Sequence, residues 1–198
     1  MSSTNRSNAR NSRVADYYIT PVACIKQFLQ EFHKEVPLDW SKLFIVNPCA
    51  GGDAKNPMSY PEAIRDMFGQ SAFDRVLTVD IREDSRAKVV RDYLELEFEE
   101  TDKPDLIITN PPFKDAQAII EKSLKDVKKF GWVIMLLRLN FFGSISRKPF
   151  FEKYNPSYVY VRHRRMSFSE NGKTDSIEYC HMCFQKGAHP EYTKLKVI

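Results

Sequence analysis

From residue 132 to 139 the chain reads WVIMLLRL, a run in which Arg138 is the one polar side chain. A strand wet on one face alternates apolar with polar residues, so a nearly unbroken apolar run of strand length needs cover on both faces. Helices on the two sides of a sheet supply that cover. The rest of the pattern agrees. Strand-like segments at 43–46, 75–79, 94–98 and 105–109 are separated by segments of helical character at 21–35, 61–68, 84–90 and 115–130. In the first helix Val22, Ile25, Leu29 and Phe32 form the apolar stripe, Thr20 is placed as its cap and Pro21 as its first residue. Gly69 and Gly131 are placed to end the second and the last. In the last, Ala118, Ile119, Leu124 and Val127 point inward, and Lys122, Lys125, Lys128 and Lys129 mostly meet water. This alternation predicts an α/β fold, a mainly parallel open sheet with helices on both faces. Strand patterns near 157–161 and 176–184, with few helix signals, add an antiparallel C-terminal edge.

Size and composition narrow the class. A chain of 198 residues, 42% of them hydrophobic, makes one domain that can bury roughly 70% of its unfolded surface without disulfides or a structural metal. That domain is expected over 14–198. Residues 1–13, with Arg6, Arg10 and Arg13 among small polar groups, read as a disordered basic tail. The absence of an apolar run of about 18 residues argues against a membrane span. A net charge of +4 permits a polyanionic partner without demanding one. Four scattered cysteines and no signal peptide point to free thiols in the cytoplasm.

Open parallel sheets bind ligands at the carboxyl ends of their strands. The unusual residues fall there. Asn47-Pro48-Cys49-Ala50-Gly51-Gly52-Asp53 follows the first strand, Asp80 ends the second, and Asn110-Pro111-Pro112-Phe113 stops the strand at 105–109. A glycine pair is often only a turn, and an acid ending a strand is often only a helix cap. The tetrapeptide says more. Two rigid prolines hold the Asn110 side-chain oxygen and the Pro111 carbonyl so that they can converge, and two converging acceptors suit an NH2 group.

On these residues the chain resembles the small S-adenosylmethionine-dependent amino-methyltransferases, in particular the DNA adenine-N6 methyltransferases in their compact phage and mobile-element forms. Asn110-Pro111-Pro112-Phe113 is similar to that family's catalytic signature. Tyr18-Ile19-Thr20-Pro21 resembles its contact to the methionine end of the cofactor, Asn47 to Gly52 its glycine loop, Asp80-Ile81 its ribose acid, and Asp92-Tyr93-Leu94 its adenine-flanking pair. Arg164-Arg165-Met166-Ser167-Phe168, followed by Gly172-Lys173-Thr174-Asp175, resembles the tail of the phage group, with Phe168 in place of the aromatic that packs on the target base. The likeness spans residues 16–185.

The resemblance implies a Rossmann-like class I methyltransferase fold, S-adenosylmethionine as cofactor, and direct methyl transfer to the adenine amine of DNA. The same tetrapeptide serves an RNA base or a protein glutamine amide, and a non-catalytic partner subunit could keep the fold. Asn47 stands where the family often has an acid, so Asp53 is a candidate to meet the cofactor's ammonium. No added target-recognition domain is evident, so a partner protein is a candidate source of specificity. Arg147, Lys148, Arg162, His163, Arg164 and Arg165 are placed to form one edge of a nucleic acid cleft. Cys180 and Cys183 have the spacing of a zinc half-site but no second pair to complete it, so no metal is expected. His33 and His189 have no evident partners.

Overall fold

The computed structural model describes residues 18–168 and 176–198. The expected basic tail and Gly172-Lys173-Thr174-Asp175 lie outside the described residues. In chain order the strands are β1 (Ile45–Asn47), β2 (Val76–Asp80), β3 (Val89–Val90), β4 (Leu106–Thr109), β5 (Trp132–Arg138), β6 (Tyr158–Val161), β7 (Tyr179–Gln185) and β8 (Lys194–Val197). The helices are α1 (Val22–Glu35), α2 (Ser59–Phe68), α3 (Gln70–Asp74), α4 (Ala116–Asp126) and α5 (Lys148–Lys153). The strands join one sheet in the order β3-β2-β1-β4-β5-β7-β6-β8. Its pairings are parallel except those of β7, which runs antiparallel to both β5 and β6.

Strand periodicity divides the core between the two faces of the sheet. Ile45, Leu106, Ile108, Trp132 and Ile134 turn to one side and pack with Ile25, Phe28, Phe32 and Ile64 of α1 and α2. Val46, Ile107, Val133, Met135 and Leu137 turn to the other, against Ile119, Ile120 and Leu124 of α4 and Phe150 of α5. The unbroken apolar run of β5 is thereby explained: each face of the strand has its own layer of helices. Ile107 is fully buried, and truncating such a residue to alanine costs about 2–5 kcal/mol.

Several expectations are corrected. Pro21, not Thr20, occupies the cap position of α1, and no side chain closes that helix end. No helix forms over 84–90. Ser85 instead accepts from Ala87 N and donates to Gly51 O, Lys88 N donates to Thr78 Oγ1, and Val89–Val90 pairs with β2. The edge of β2 and the glycine loop offer these backbone groups immediate partners in place of a helix. The strand expected over 94–98 is absent; Asp92 caps a 3-10 turn at Tyr93–Glu95. α4 stops at Asp126 rather than at residue 130, and the Lys186 ammonium donates to the Lys125 and Val127 carbonyls at 2.7 Å each. Gly131 is required by close approach, because a Cβ there would lie 2.5 Å from Val127 Cγ2 and 2.8 Å from Asp105 O. α3, α5 and β8 are additions, and β8, parallel to β6, forms the outer edge.

The topology places the site. The chain builds β2 and β3 on one side of β1 and then crosses to β4 on the other. At that reversal the loops after β1 and β4 part, leaving a crevice beyond their carboxyl ends.

Candidate active site

The crevice is a cavity of about 330 Å³. One end is made of backbone. Gly51 and Gly52 have φ of 65° and 75°, and a Cβ on Gly52 would lie 2.7 Å from Met58 Cγ, so both the turn and the packing call for glycine. Gly51 N donates to Asp80 Oδ2 at 2.7 Å, Arg82 N to Asp80 Oδ1 at 2.9 Å, and Ser85 Oγ to Gly51 O at 2.7 Å. Asp80, at the end of β2, is 7% exposed. Each of its oxygens uses one lone pair inside the protein and keeps another for a ligand. Beyond it, Asp92, Tyr93, Leu94, Pro111 and Ile119 form a slot. The Tyr93 hydroxyl is tied to Asp126 at 2.8 Å, and the phenol is raised by burial and by that carboxylate, which fixes the ring as a neutral wall.

Asn110 lies where the backbone end meets an aromatic end. Its Nδ2 donates to Thr20 Oγ1 at 3.1 Å, which settles which way the amide faces. Its Oδ1 is buried without a hydrogen-bond partner among the described residues. An orphaned acceptor costs about 1–3 kcal/mol, a cost that a ligand's N–H can remove. Pro111, Pro112 and Phe113 continue the wall.

Beyond Asn110 four rings gather. Phe113 lies 6.2 Å from Tyr18 and 5.9 Å from Tyr179, and Phe168 lies 5.7 Å from Tyr18 and 4.9 Å from Tyr179. The Arg138 guanidinium covers one face of Phe113 at 4.3 Å, so only the other face can receive a planar ligand.

No protein-family model matches the sequence, and no curated protein does. Solved structures match. A Listeria monocytogenes protein provisionally described as a class I S-adenosylmethionine-dependent methyltransferase aligns over 91% of this chain and 65% of its own, with a TM-score of 0.64 at 14% identity. A Pyrococcus horikoshii protein provisionally described as an RNA methyltransferase aligns over 89% of this chain and 90% of its own, with a TM-score of 0.58 at 15% identity. The M protein of the type I restriction enzyme EcoKI aligns over 86% of this chain and 44% of its own, at 0.52 and 13%. This chain has the class I methyltransferase fold. It spans less than two thirds of the first of these proteins and less than half of the third.

The residues present fit the cofactor of that fold: a half-free carboxylate at the end of β2, glycines admitting close approach, and a largely apolar slot beside them. Of the residues singled out from sequence, Tyr18, Thr20, Pro48, Cys49, Ala50, Gly51, Asp80, Ile81, Asp92, Tyr93, Asn110, Pro111, Pro112 and Phe113 share this cavity wall. Asn47, Asp53 and Pro21 do not. Asn47 is fully buried and donates to Ile108 O at 2.6 Å, bridging β1 to β4. Asp53 accepts from the Asn56 side-chain amide and from Lys55 N and Asn56 N, which closes a turn and holds its carboxyl below the usual range.

The expected basic edge is dispersed. The Arg147 Nε donates to Phe141 O and Arg165 pairs with Glu178, while Arg162 reaches Gln27 and His163 Nδ1 lies 2.7 Å from Ile198 O. Arg164 is exposed. Cys180 and Cys183 enter opposite core layers, so β7 cannot offer both thiols to one metal. Among the described residues no group of three metal-ligating side chains occurs, and no helix is long and apolar enough to cross a membrane. His33 does have a partner, accepting from Trp40 Nε1 at 3.3 Å; His189 is exposed.

Several wall residues carry no local signal, among them Ser59, Tyr60, Arg82, Lys114 and Asp115. Tyr60 comes from α2, and its hydroxyl lies 3.0 Å from Nε2 of the fully buried His181. Burial, with Arg162 nearby, lowers His181 to about 3, so its ring is neutral at pH 7. Burial, with Asp80 nearby, pushes the Cys49 thiol up to about 12, so it is no nucleophile.

Proposed function

We propose that the protein transfers the methyl group of S-adenosylmethionine to the exocyclic N6 amine of adenine in DNA. The observation that carries this reading is the Asn110 amide, turned by Thr20 so that an unpartnered oxygen remains in the wall that also holds Gly51 and Asp80. S-adenosylmethionine supplies an electrophilic methyl on a sulfonium, so no protein nucleophile is needed, in keeping with the neutral Cys49.

In this reading Asp80 accepts from the ribose hydroxyls, and Tyr93, Leu94 and Ile119 enclose the cofactor adenine. Asn110 Oδ1 and the Pro111 carbonyl accept the two N–H bonds of the substrate amine. That contact would draw its lone pair out of conjugation and orient it toward the methyl group, the S–C bond breaking as the N–C bond forms and one amine proton passing to solvent. The catalysis lies in positioning and in fixed dipoles. A base inside a duplex must leave the stack, at a cost of a few kcal/mol that stacking on the open face of Phe113 offsets by about 1–3 kcal/mol. Phe168, Arg164 and Arg165 are further candidates to meet the substrate, and Arg147 belongs with them only at the periphery.

The DNA acceptor draws support from the restriction-enzyme M protein among the structural matches. The same likeness, to one component of an enzyme, supports a partner protein that chooses the target. A cytoplasmic setting goes with four free cysteines. The test is incubation with labelled cofactor and mixed-sequence DNA, RNA or glutamine peptide in parallel. Label in DNA that survives to N6-methyladenine on nucleoside digestion is the expected result. Label only in RNA or peptide redirects the acceptor, and cofactor binding without transfer to any of them overturns the enzymatic reading.

A further inference from the structure

Against Phe113, which lines the aromatic end of the cavity, lies a cation that the reaction as described does not use. Arg138 is the last residue of β5, paired with Tyr179 of β7, and its guanidinium lies on the ring face of Phe113. Among the described residues it makes no hydrogen bond and no ion pair, and its Nε is buried without an acceptor. Its neighbours are engaged: Arg147 with a backbone carbonyl, Arg162 with Gln27, Arg165 with Glu178.

A stacked guanidinium gives its face to the ring and keeps its in-plane N–H donors for a planar or tetrahedral anion. Among the described residues no counter-charge offsets the half-burial of this cation, a cost that an arriving anion would recover. Two sources of that anion are within the chemistry of the site. One is the cofactor's carboxylate and the other a phosphate of the substrate; Arg138 lies two strands from the glycine loop at β1 and is absent from the wall that holds Gly51 and Asp80, which favours the phosphate.

We propose that Arg138 binds a backbone phosphate of the nucleotide whose base lies against Asn110, and that this contact selects a nucleic acid over a neutral side-chain amide. The inference rests on the methyltransferase reading and deepens it. Arg138 is a substrate-binding residue here, not one that touches the reacting atoms. Its Phe113 contact links the two roles, since a phosphate drawn to the guanidinium positions the attached base at the open face of the same ring.

The salt dependence of binding tests this. Wild type, Arg138→Gln and Arg138→Lys are titrated with fluorescent single-stranded and duplex oligodeoxynucleotides, and with the matching RNA, in saturating S-adenosylhomocysteine. Loss of one phosphate contact should lower the slope of log affinity on log salt by about 0.7 for single strands or about 0.9 for duplex in Arg138→Gln. Arg138→Lys should keep that slope. Affinity for S-adenosylhomocysteine alone should stay within about twofold in both, which also reports that the variants fold. The same slope change seen on RNA alone supports the contact with a different polymer. An unchanged slope in Arg138→Gln overturns the proposal even where wild type methylates DNA, and leaves the proposed reaction standing. A loss of cofactor affinity equal to the loss of nucleic acid affinity also overturns it. Binding of a glutamine peptide in place of any nucleic acid overturns both this proposal and the DNA acceptor.

Discussion

At the glycine-loop end of the cavity the polar groups that face a ligand are already held: both Asp80 oxygens accept a backbone N–H, and the Gly51 and Gly52 carbonyls accept from Ser85 and Arg82. Toward the aromatic end, Asn110 Oδ1 and, against Phe113, Arg138 Nε have no hydrogen-bond partner among the described residues. The backbone of the first end is tied before anything binds, and what it offers a ligand is the remaining lone pairs of Asp80. The second stores unmet hydrogen-bonding capacity, so its interactions form only with a bound substrate. A site that must hold one molecule through the reaction and strengthen its grip on another near the transition state needs both kinds of wall.

The contrast can be broken at several points. Asn110→Ala removes the open acceptor and should lower methyl transfer by about 10²- to 10³-fold while cofactor affinity changes little; single-turnover label transfer beside calorimetry separates the two. A comparable loss in both would show that Asn110 belongs to the rigid end. Asp80→Asn keeps the shape and removes the charge, and calorimetry should show cofactor binding weakened by about 10- to 100-fold. Undiminished binding would mean that the held carboxylate serves the loop alone.

A third experiment probes the core beneath the cavity. The folded pKa of His181, about 3, lies below its ordinary 6.5, so the unfolded chain takes up a proton that the native state refuses. Stability is then whole above about pH 6.5 and falls as pH drops toward 3, by about 2 kcal/mol between about pH 7 and pH 5. Urea unfolding at the two pH values measures the drop, and His181→Gln should lose this component of it. A slope identical in wild type and variant would remove His181 as the cause. The smallest effect is expected from Thr20→Val, which frees the Asn110 amide at a cost of about 1 kcal/mol, or about fivefold in turnover. Thr20→Ser should restore the rate, and a variant as slow as Thr20→Val would point to packing instead of the hydroxyl.

Much of the architecture could be read locally because apolar periodicity and strand-stopping residues report burial directly. The β5 run announced a two-faced sheet, and Asn110 to Phe113 announced the end of β4. The failures share a cause. Residues 84–98 look helical and then extended by composition, but their hydrogen bonds go to β2 and the glycine loop, which no local pattern contains. Thr20 looked like a helix cap and instead bonds Asn110, 90 residues away. Asn47 and Asp53 flank the glycine loop in sequence yet face away from the cavity, one tied to β4 and the other to its own turn.

Residue types in order along the chain were sufficient for the layers, the strand ends and the gathering of Asp80, the glycines and Asn110 at one edge, because each follows from short-range sterics and burial. Which amide oxygen stays open, which arginine stays uncompensated and which face of Phe113 is covered were decided by packing between distant segments. Those outcomes depend on distances of a few ångströms between groups that only the closed sheet brings together, so no stretch of sequence encodes them alone.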